Sequence, residues 1–504
     1  MSTTEKLVTT IISNVKKNIL KEISKQNYEK SLAYISILND ILWQFYIKYY
    51  DQDIEDFIKT ISDKMFSAPV EYETEKMNIV FIDSCSWDNH CLTQQYLRAF
   101  MALNLNILYV VIKSKHAIPQ FNQIKEELKE YKKSNILIIY SNFKIEQQTR
   151  LLHEEICKFR PSKIFLHSFS ILDAVAIRNI STPLKYRINL GDHHCWSGSS
   201  CTDYIIDFRN WGYTLSHTYR QCSKDKIIIQ PYYPIVDGNS FEGFPKLAAG
   251  KILIFSGGAS YKIIDKDLTF FTIILRLLNE NPQAIILFAC RGNDTILRNF
   301  IKKHKLENRL LLTGYRKDIN EVLKHVDIYL NTYPLGGGLM VQYAAINGCP
   351  ILNYKATQDI GTDTIEYCEY NSLHYSYTYR TAYDDIDLFS EAAKNIIENG
   401  DYRKEVGKFL KGTVISEQSF NESVKQIFEN SKTNLSPCEF NADFERFRSN
   451  LSKQSFENAS SILASVLHKL FPFSFIVRFP YSIVWKGIVV IILRKLNKYI
   501  RINK

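Results

Sequence analysis

The chain has 504 residues, and what it lacks excludes several classes of protein. None of its ten cysteines, at positions 85, 91, 157, 195, 201, 222, 290, 349, 368 and 438, forms a Cys-x-x-Cys pair. Several of them sit inside apolar runs, which suits a reducing compartment and excludes a disulfide scaffold. The opening Met1-Ser2-Thr3-Thr4-Glu5-Lys6 lacks the charged-then-apolar layout of a secretory signal. A cytoplasmic location is therefore expected. Proline and glycine are sparse, at 13 and 19, and 45% of the residues are hydrophobic, too many for a disordered chain. Acids are missing altogether from Asn458 to Lys504. That stretch holds eight bases out of a net charge of +10, which leaves only +2 for everything before it. The basicity belongs to the tail, so the body requires no nucleic acid or other polyanionic partner.

The length exceeds the ~250–300 residues at which one core stops growing, so more than one domain is expected. Residues 1–76 read as a helical segment. Leu7, Ile11, Val15 and Ile19 recur every four residues, and Leu32, Ile35, Leu38, Ile41, Leu42 and Phe45 form a second apolar face. Such a segment serves either as an adaptor or as a helical extension packed on the neighbouring domain, and buried stripes favour the extension.

From Met77 short apolar runs alternate with helical patterns: Asn78–Ile82, Ile107–Ile112, Ile136–Tyr140, Lys163–Leu166 and Arg187–Leu190. Strands apolar on both faces, with helices between them, indicate a parallel sheet. Residues 231–250 concentrate proline and glycine and read as a linker. A second series follows, from Ile252–Phe255 to Pro350–Leu352. The expected class is α/β: a Rossmann-like domain over 77–238, a second over 249–430, and a helical return with a basic tail over 431–504. Ligands of such sheets bind beyond the carboxyl ends of the strands, in a cleft.

Two stretches of the second series carry chemistry. In the first, a strand ends in Ser256-Gly257-Gly258, with Lys262 four residues on. Small residues let the backbone approach an anion, and the lysine adds a point charge for phosphate. In the second, the strand at Ile328–Leu330 leads into Gly336-Gly337-Gly338, then a helix through Leu339, Met340 and Gln342, closed by Gly348-Cys349-Pro350. Glycines ahead of a helix free its first N–H groups to face a diphosphate. Taken alone, each stretch is also readable as a plain turn. In the first series, Asp192-His193-His194-Cys195 spells an S-acyltransferase signature, but neither a cysteine-rich zinc domain nor membrane helices accompany it. The loop follows a strand, so His193 or His194 is a candidate to orient or deprotonate an acceptor hydroxyl. His90, just after the first strand, is another.

Five stretches in order make residues 77–430 resemble the O-GlcNAc transferase-like glycosyltransferases of GT-B fold. They are Asn89-His90; Gly191…Ser197-Gly198…Asp203-Tyr204-Ile205-Ile206-Asp207; Tyr261-Lys262-Ile263; the helix and strand of Arg298–Thr313; and the Asp327 strand with its glycine loop and Gly-Cys-Pro. The resemblance implies two Rossmann-like domains facing a cleft, with Lys262 on the donor diphosphate and the Asn-His loop on the acceptor side. Nucleotide-sugar is then a co-substrate, UDP-sugar by the family's habit, and no separate cofactor is implied. Leu339-Met340-Val341 replaces the family's threonines, and Tyr343 stands where the family has its ribose-binding acid. No tetratricopeptide array is present, so the acceptor stays open among glycan, as in polysaccharide biosynthesis, lipid-linked and protein acceptors. No paired acids precede the obvious loops, so a metal-independent direct displacement is expected, with Lys262 and the helix start in place of a cation. Two readings compete: a CDP-dependent polyol-phosphate transferase, and an inactive scaffold that stabilises a partner.

In the tail, Val484, Ile488, Ile492, Leu496 and Ile500 form one stripe, with Lys486, Arg494, Lys498 and Arg501 largely off it. Uncharged stretches such as Gly487–Leu493 fall far short of the ~20 residues that span a bilayer. An amphipathic basic helix over 471–504 suits the anionic inner face of a membrane, and the alternative is a helix packed on the first domain.

Overall fold

The computed structural model describes residues 2–84, 91–113, 122–140, 143–189, 191–236, 238–247, 249–354, 379, 382–459, 462, 463 and 466. The chain forms two compact units, residues 1–228 with 425–432 and 443–504, and residues 229–424 with 433–442.

The first unit opens with α1 (Thr3–Ser24), α2 (Tyr28–Phe45) and α3 (Gln52–Met65). Each has a side-chain N-cap, from Ser2, Asn27 and Asp51, which satisfies otherwise orphaned N–H groups. Their apolar stripes are buried. Leu32, Ile35, Leu38, Ile41, Leu42 and Phe45 are fully covered, each contributing ~1.5–3 kcal/mol on transfer grounds. They share one core with Val80 and Ile82, Ile164 and Leu166, and with Ala459, Leu463 and Val466 of the C-terminal return. The helical segment is therefore an extension packed on the sheet.

The sheet of this unit takes in β1 (Glu75–Asp83), β2 (Asn106–Lys113), β3 (Ser134–Tyr140), β4 (Pro161–His167), β5 (Leu184–Ile188), β6 (Tyr204–Asp207) and β7 (Ile227–Ile229), with helices α4 (Cys91–Ala102), α5 (Asn122–Leu128), α6 (Ile145–Phe159), α7 (Ile171–Arg178) and α8 (Asn210–Tyr219) between strands. Its order is β3-β2-β1-β4-β5-β6-β7, parallel from β3 to β6. The strand expected at Arg187–Leu190 starts earlier, at Leu184. Lys185 and Arg187 lie inside it and are buried, so charge masks the apolar run.

The second unit has a six-stranded parallel sheet in the order β10-β9-β8-β11-β12-β13. The strands are β8 (Ile252–Ala259), β9 (Ala284–Arg291), β10 (Leu310–Leu312), β11 (Ile328–Leu330), β12 (Ile351–Tyr354) and β13 (Ala382–Tyr383). Helices α9 (Thr269–Glu280), α10 (Thr295–Lys303), α11 (Ile319–Lys324), α12 (Gly338–Ile346), α13 (Ile386–Glu398) and α14 (Gly400–Lys411) belong to it. The chain then returns through α15 (Glu417–Asn430) to α16 (Phe444–Glu457) in the first unit. Among the described residues no helix is long and apolar enough to cross a membrane.

Glu55 of α3 is buried and ties the helical segment to the loop before β6. Its carboxylate accepts from Gly198 N (2.7 Å), Ser200 N (3.0 Å) and Ser200 Oγ (2.6 Å). Gly198 is itself irreplaceable there, with φ +91° and space for a Cβ only 2.8 Å from that of Ala174. Substitution Glu55→Ala strands buried donors and should cost roughly 2–4 kcal/mol. All five tryptophans lie outside residues 229–442, so tryptophan fluorescence during urea unfolding reads the first unit alone. An unchanged midpoint in the variant would show that the helical segment is not held through Glu55.

Candidate functional site

Each sheet reverses its strand order once, between β8 and β11 in the second unit and between β1 and β4 in the first. Connections leave such neighbours in opposite directions, and ligands of open α/β sheets lodge at the carboxyl ends there. In the second unit this point is where Lys262 and the glycine loop meet.

The strand expected to stop at Ser256-Gly257-Gly258 instead continues through both glycines to Ala259. Gly257 and Gly258 pair with Ala289 and Cys290 of β9 and are no turn. A Cβ on Gly257 would lie 3.0 Å from Ala289 O, and one on Gly258 would meet the Lys262 Cδ at 3.4 Å and Thr332 Cγ2 at 3.6 Å. The glycines therefore make room for the neighbouring strand and for the lysine stem. Ser256 is fully buried in the strand, its hydroxyl without a hydrogen-bond partner among the described residues. Lys262 follows on a short 3-10 turn, Ser260–Ile263.

The loop after β11 is organised by Asn331, a residue the sequence reading missed. Its buried Oδ1 accepts from Thr332 N (3.1 Å), Gly337 N (2.9 Å) and Tyr329 OH (3.2 Å), while its Nδ2 donates to Asn353 Oδ1 (3.3 Å). Thr332 Oγ1 donates to Leu335 O at 2.7 Å. Gly336 has no room for a Cβ, which would sit 2.8 Å from Asn331 Nδ2. Leu335 N donates to Lys262 O (3.3 Å), and Lys262 Nζ donates to Gly336 O (3.4 Å). Two stretches 74 residues apart are thereby joined.

Helix α12 starts at Gly338, and its N-cap, Gly337, has no side chain to cap it. Val341 N is the first to bond within the helix, to Gly337 O at 3.0 Å, so the N–H groups of Gly338, Leu339 and Met340 have no intrahelical acceptor. Leu339 and Met340 thus present backbone N–H groups at the helix start. Burial pushes the Lys262 ammonium below its usual pKa, and among the described residues it contacts no carboxylate. A half-buried cation and an uncapped helix start both attract negative charge. Gln342 follows on the same helix. That side chain is buried and donates to Tyr232 O (3.0 Å), as Tyr343 OH donates to Ile235 O.

At the corresponding point of the first unit the last residues of β1 and β4 are register neighbours, Asp83 and His167, both buried. Asp83 accepts from Thr93 Oγ1 and Tyr109 OH, each at 2.8 Å, and lies 3.4 Å from His167 Nδ1. Burial works to raise the Asp83 carboxyl, and His167, Thr93 and Tyr109 override it and hold it low. His167 Nε2 is buried without a hydrogen-bond partner among the described residues. A polar residue ending each of two apolar runs was the signal available in the sequence. His90 lies outside the described residues.

His193 and His194 occupy the loop after β5. Asp192 is buried and grips Arg209 through Nε (2.6 Å) and Nη2 (3.0 Å), with His193 Nδ1 3.3 Å away. Burial opposes ionisation of Asp192, but Arg209 and His193 win and keep its pKa far below the usual carboxylate range. His194 is packed between aromatic rings, and Cys195 is buried, its thiol pushed up to about 12.

No protein-family model matches the sequence, and no curated protein matches it. Solved structures share its fold at low identity. A TarM variant from S. aureus, solved with fondaparinux, alpha-GlcNAc-glycerol and UDP, is 10% identical, with a TM-score of 0.50 over 70% of this chain and 100% of that one. Anabaena Alr3699/HepE in complex with UDP is 11% identical, with a TM-score of 0.50 over 69% and 99%. An O-GlcNAc transferase from Thermobaculum terrenum is 12% identical over 89% and 85%, with a TM-score of 0.48. With its two parallel α/β units, this chain has the GT-B fold that its sequence leads one to expect.

Proposed function

We propose that the chain transfers a hexosyl or N-acetylhexosaminyl group from a nucleotide diphosphate sugar to a hydroxyl acceptor. One observation carries this reading: Lys262, a half-buried cation paired with no carboxylate among the described residues, stands beside the uncapped start of α12 where β8 and β11 part. As the bond from the anomeric carbon to the phosphate oxygen breaks, negative charge grows on the diphosphate. Lys262 and the N–H groups of Gly338, Leu339 and Met340 stabilise that charge more in the transition state than in the ground state. The acceptor oxygen attacks the anomeric carbon and passes its proton to a general base, for which His167, His193 and His194 are candidates among the described residues. UDP is the nucleotide to test first, since the TarM and HepE structures compared above hold it.

The expected result is that UDP raises the melting temperature of the full chain, as ligands of the folded state must. Lys262→Ala should weaken UDP binding ~10–150-fold, the loss of one charge-assisted contact of ~1.5–3 kcal/mol, with little change in melting temperature without nucleotide. Gly336→Ala, which forces Asn331 aside, should weaken it as well. Wild-type affinity in a folded Lys262→Ala protein would end the assignment. Stabilisation by CDP alone would favour the polyol-phosphate transferase, and stabilisation by no nucleotide the inactive scaffold, for which the engagement of Gln342 and Tyr343 with residues 232 and 235 speaks.

The acid-free tail points to a place of work. Ala459, Leu463 and Val466 are buried in the core of the first unit, while the amphipathic stretch 471–504 lies outside the described residues. Its five bases after Leu493 each add ~1 kcal/mol of attraction to an anionic membrane, and its apolar stripe adds insertion. Removal of 471–504 leaves the packed positions in place. It should abolish co-sedimentation with anionic liposomes and spare UDP binding, and full-length binding should fall as salt rises. Equal sedimentation of both forms would show that the tail is not the anchor, and insoluble truncated protein would mean that the stretch belongs to the fold.

A further inference from the structure

The three N-terminal helices do more than cover the sheet, because the end of α2 is packed onto the histidine loop. We propose that Trp43 and Tyr46 are positioning residues of the acceptor site, holding His194 so that its Nε2 is a fixed hydrogen-bond acceptor for the substrate hydroxyl. The proposal rests on the transferase reading for its substrate class, and on geometry for everything else.

The imidazole of His194 lies parallel to the Trp43 ring, with centroids 3.8 Å apart and planes at 5°. The Tyr46 ring stacks on it at 4.8 Å and 25°. His194 Nδ1 is 3.3 Å from the Trp43 carbonyl. A carbonyl only accepts, so Nδ1 must carry the hydrogen, and in the neutral ring Nε2 is then a bare lone pair. Among the described residues nothing donates to that Nε2.

The clamp is built at some cost. Tyr46 caps α2 in the left-handed region, φ +48° and ψ +39°, which is strained for a bulky side chain. Arg448 of α16 holds it by donating to Tyr46 O at 2.9 Å. Gly191 is required beside it, because a Cβ there would lie 2.7 Å from Trp43 Cη2. Asn39 and Glu55 fix the far end of the same loop, at Ser197 and at Gly198 and Ser200.

The surroundings keep the ring neutral. Burial, foremost, and the neighbouring His193 and Arg220 lower the His194 pKa. The Trp43 carbonyl and Asp192 oppose them and lose. Tyr46, the other titratable group against the ring, is itself raised to about 12 by burial and stays neutral. A hydroxyl therefore meets an acceptor that does not switch off in mild acid.

His153 supplies an internal control. It too stacks on an aromatic ring, Phe66 at 3.9 Å, and places Nδ1 2.8 Å from a carbonyl, that of Ala176, but it lies within α6. The test is long-range proton–nitrogen NMR of the histidine-labelled full chain between pH 5.5 and 8.5, with the His194 signals assigned by their loss in His194→Gln. The expected spectrum shows His194 as the neutral Nδ1–H form throughout. In Trp43→Ala it should titrate near the ordinary ~6.5, while His153 is unmoved and Trp43→Phe retains the wild-type pattern. The rate of UDP release from UDP-glucose or UDP-N-acetylglucosamine should fall 10²–10⁴-fold in His194→Ala with UDP affinity kept, and should acquire an acid limb in Trp43→Ala. A wild-type His194 that titrates near 6.5 or carries its hydrogen on Nε2 overturns the proposal, as does a pH profile that Trp43→Ala leaves unchanged. Absence of UDP binding in the wild type instead overturns the transferase reading and leaves the tautomer question to the NMR.

Discussion

Where a parallel sheet reverses its strand order, two neighbouring strands end with their connections running apart, and their carboxyl ends stay uncovered. Both units of this protein bring buried polar residues together at that one constraint. In the second unit Lys262 comes off β8 and the Asn331 loop off β11, so residues distant in sequence share a few ångströms. In the first, β1 and β4 deliver Asp83 and His167 as register neighbours. A single asparagine carboxamide then does the fine work in the second unit, because its oxygen serves three donors and its nitrogen ties the loop to β12.

The N-terminal helices are seated on the first sheet by two kinds of contact. Their apolar stripes supply the area, and that term is non-directional. Direction comes from a few buried polar groups. Glu55 meets the backbone of Gly198 and Ser200, Asn39 accepts from Ser197 Oγ, and Ser62 Oγ donates to Val175 O. Each costs desolvation unless its partner is in place, so together they admit one seating of the helices on the sheet.

Buried charge follows the same rule. Arg187 lies inside β5 and donates to Ser168 O and Ser197 O, with its guanidinium 4.6 Å from the Trp196 ring. Asp192, Arg209 and Arg220 sit beneath the histidine loop, and Arg220 donates to the carbonyls of Asp192 and His194. These groups set the shape of the loop, which leaves the histidines free of that task. Lys262 is the exception, a half-buried cation whose contact among the described residues is a carbonyl at 3.4 Å.

Much of this could be read from the residues in order. Apolar runs such as Asn78–Ile82 and Ile328–Leu330 are strands because residues buried on both faces must be apolar, and that period is local. The split into two sheets and the GT-B resemblance follow from the same kind of information, whereas residues 231–250, read as a linker, belong to the second unit, with Phe241, Phe244 and Leu247 packed on its core. So does the glycine loop, since a helix start with no capping side chain can be recognised from Gly336-Gly337-Gly338 alone. Other features were decided by tertiary structure. Gly257 and Gly258 look like a turn but are strand, because what they accommodate is β9, Lys262 and Thr332. Arg187 looks like a strand boundary but is interior, because its partners lie 10 and 19 residues away. Gln342 looks like a ligand contact on its helix, yet its amide is used by Tyr232. His194 and Trp43 are 151 residues apart, and no periodicity links them. Sequence pattern reports which residues want to be buried or to turn. Which donor meets which acceptor depends on strand order and helix seating, and these exist only once the chain has folded.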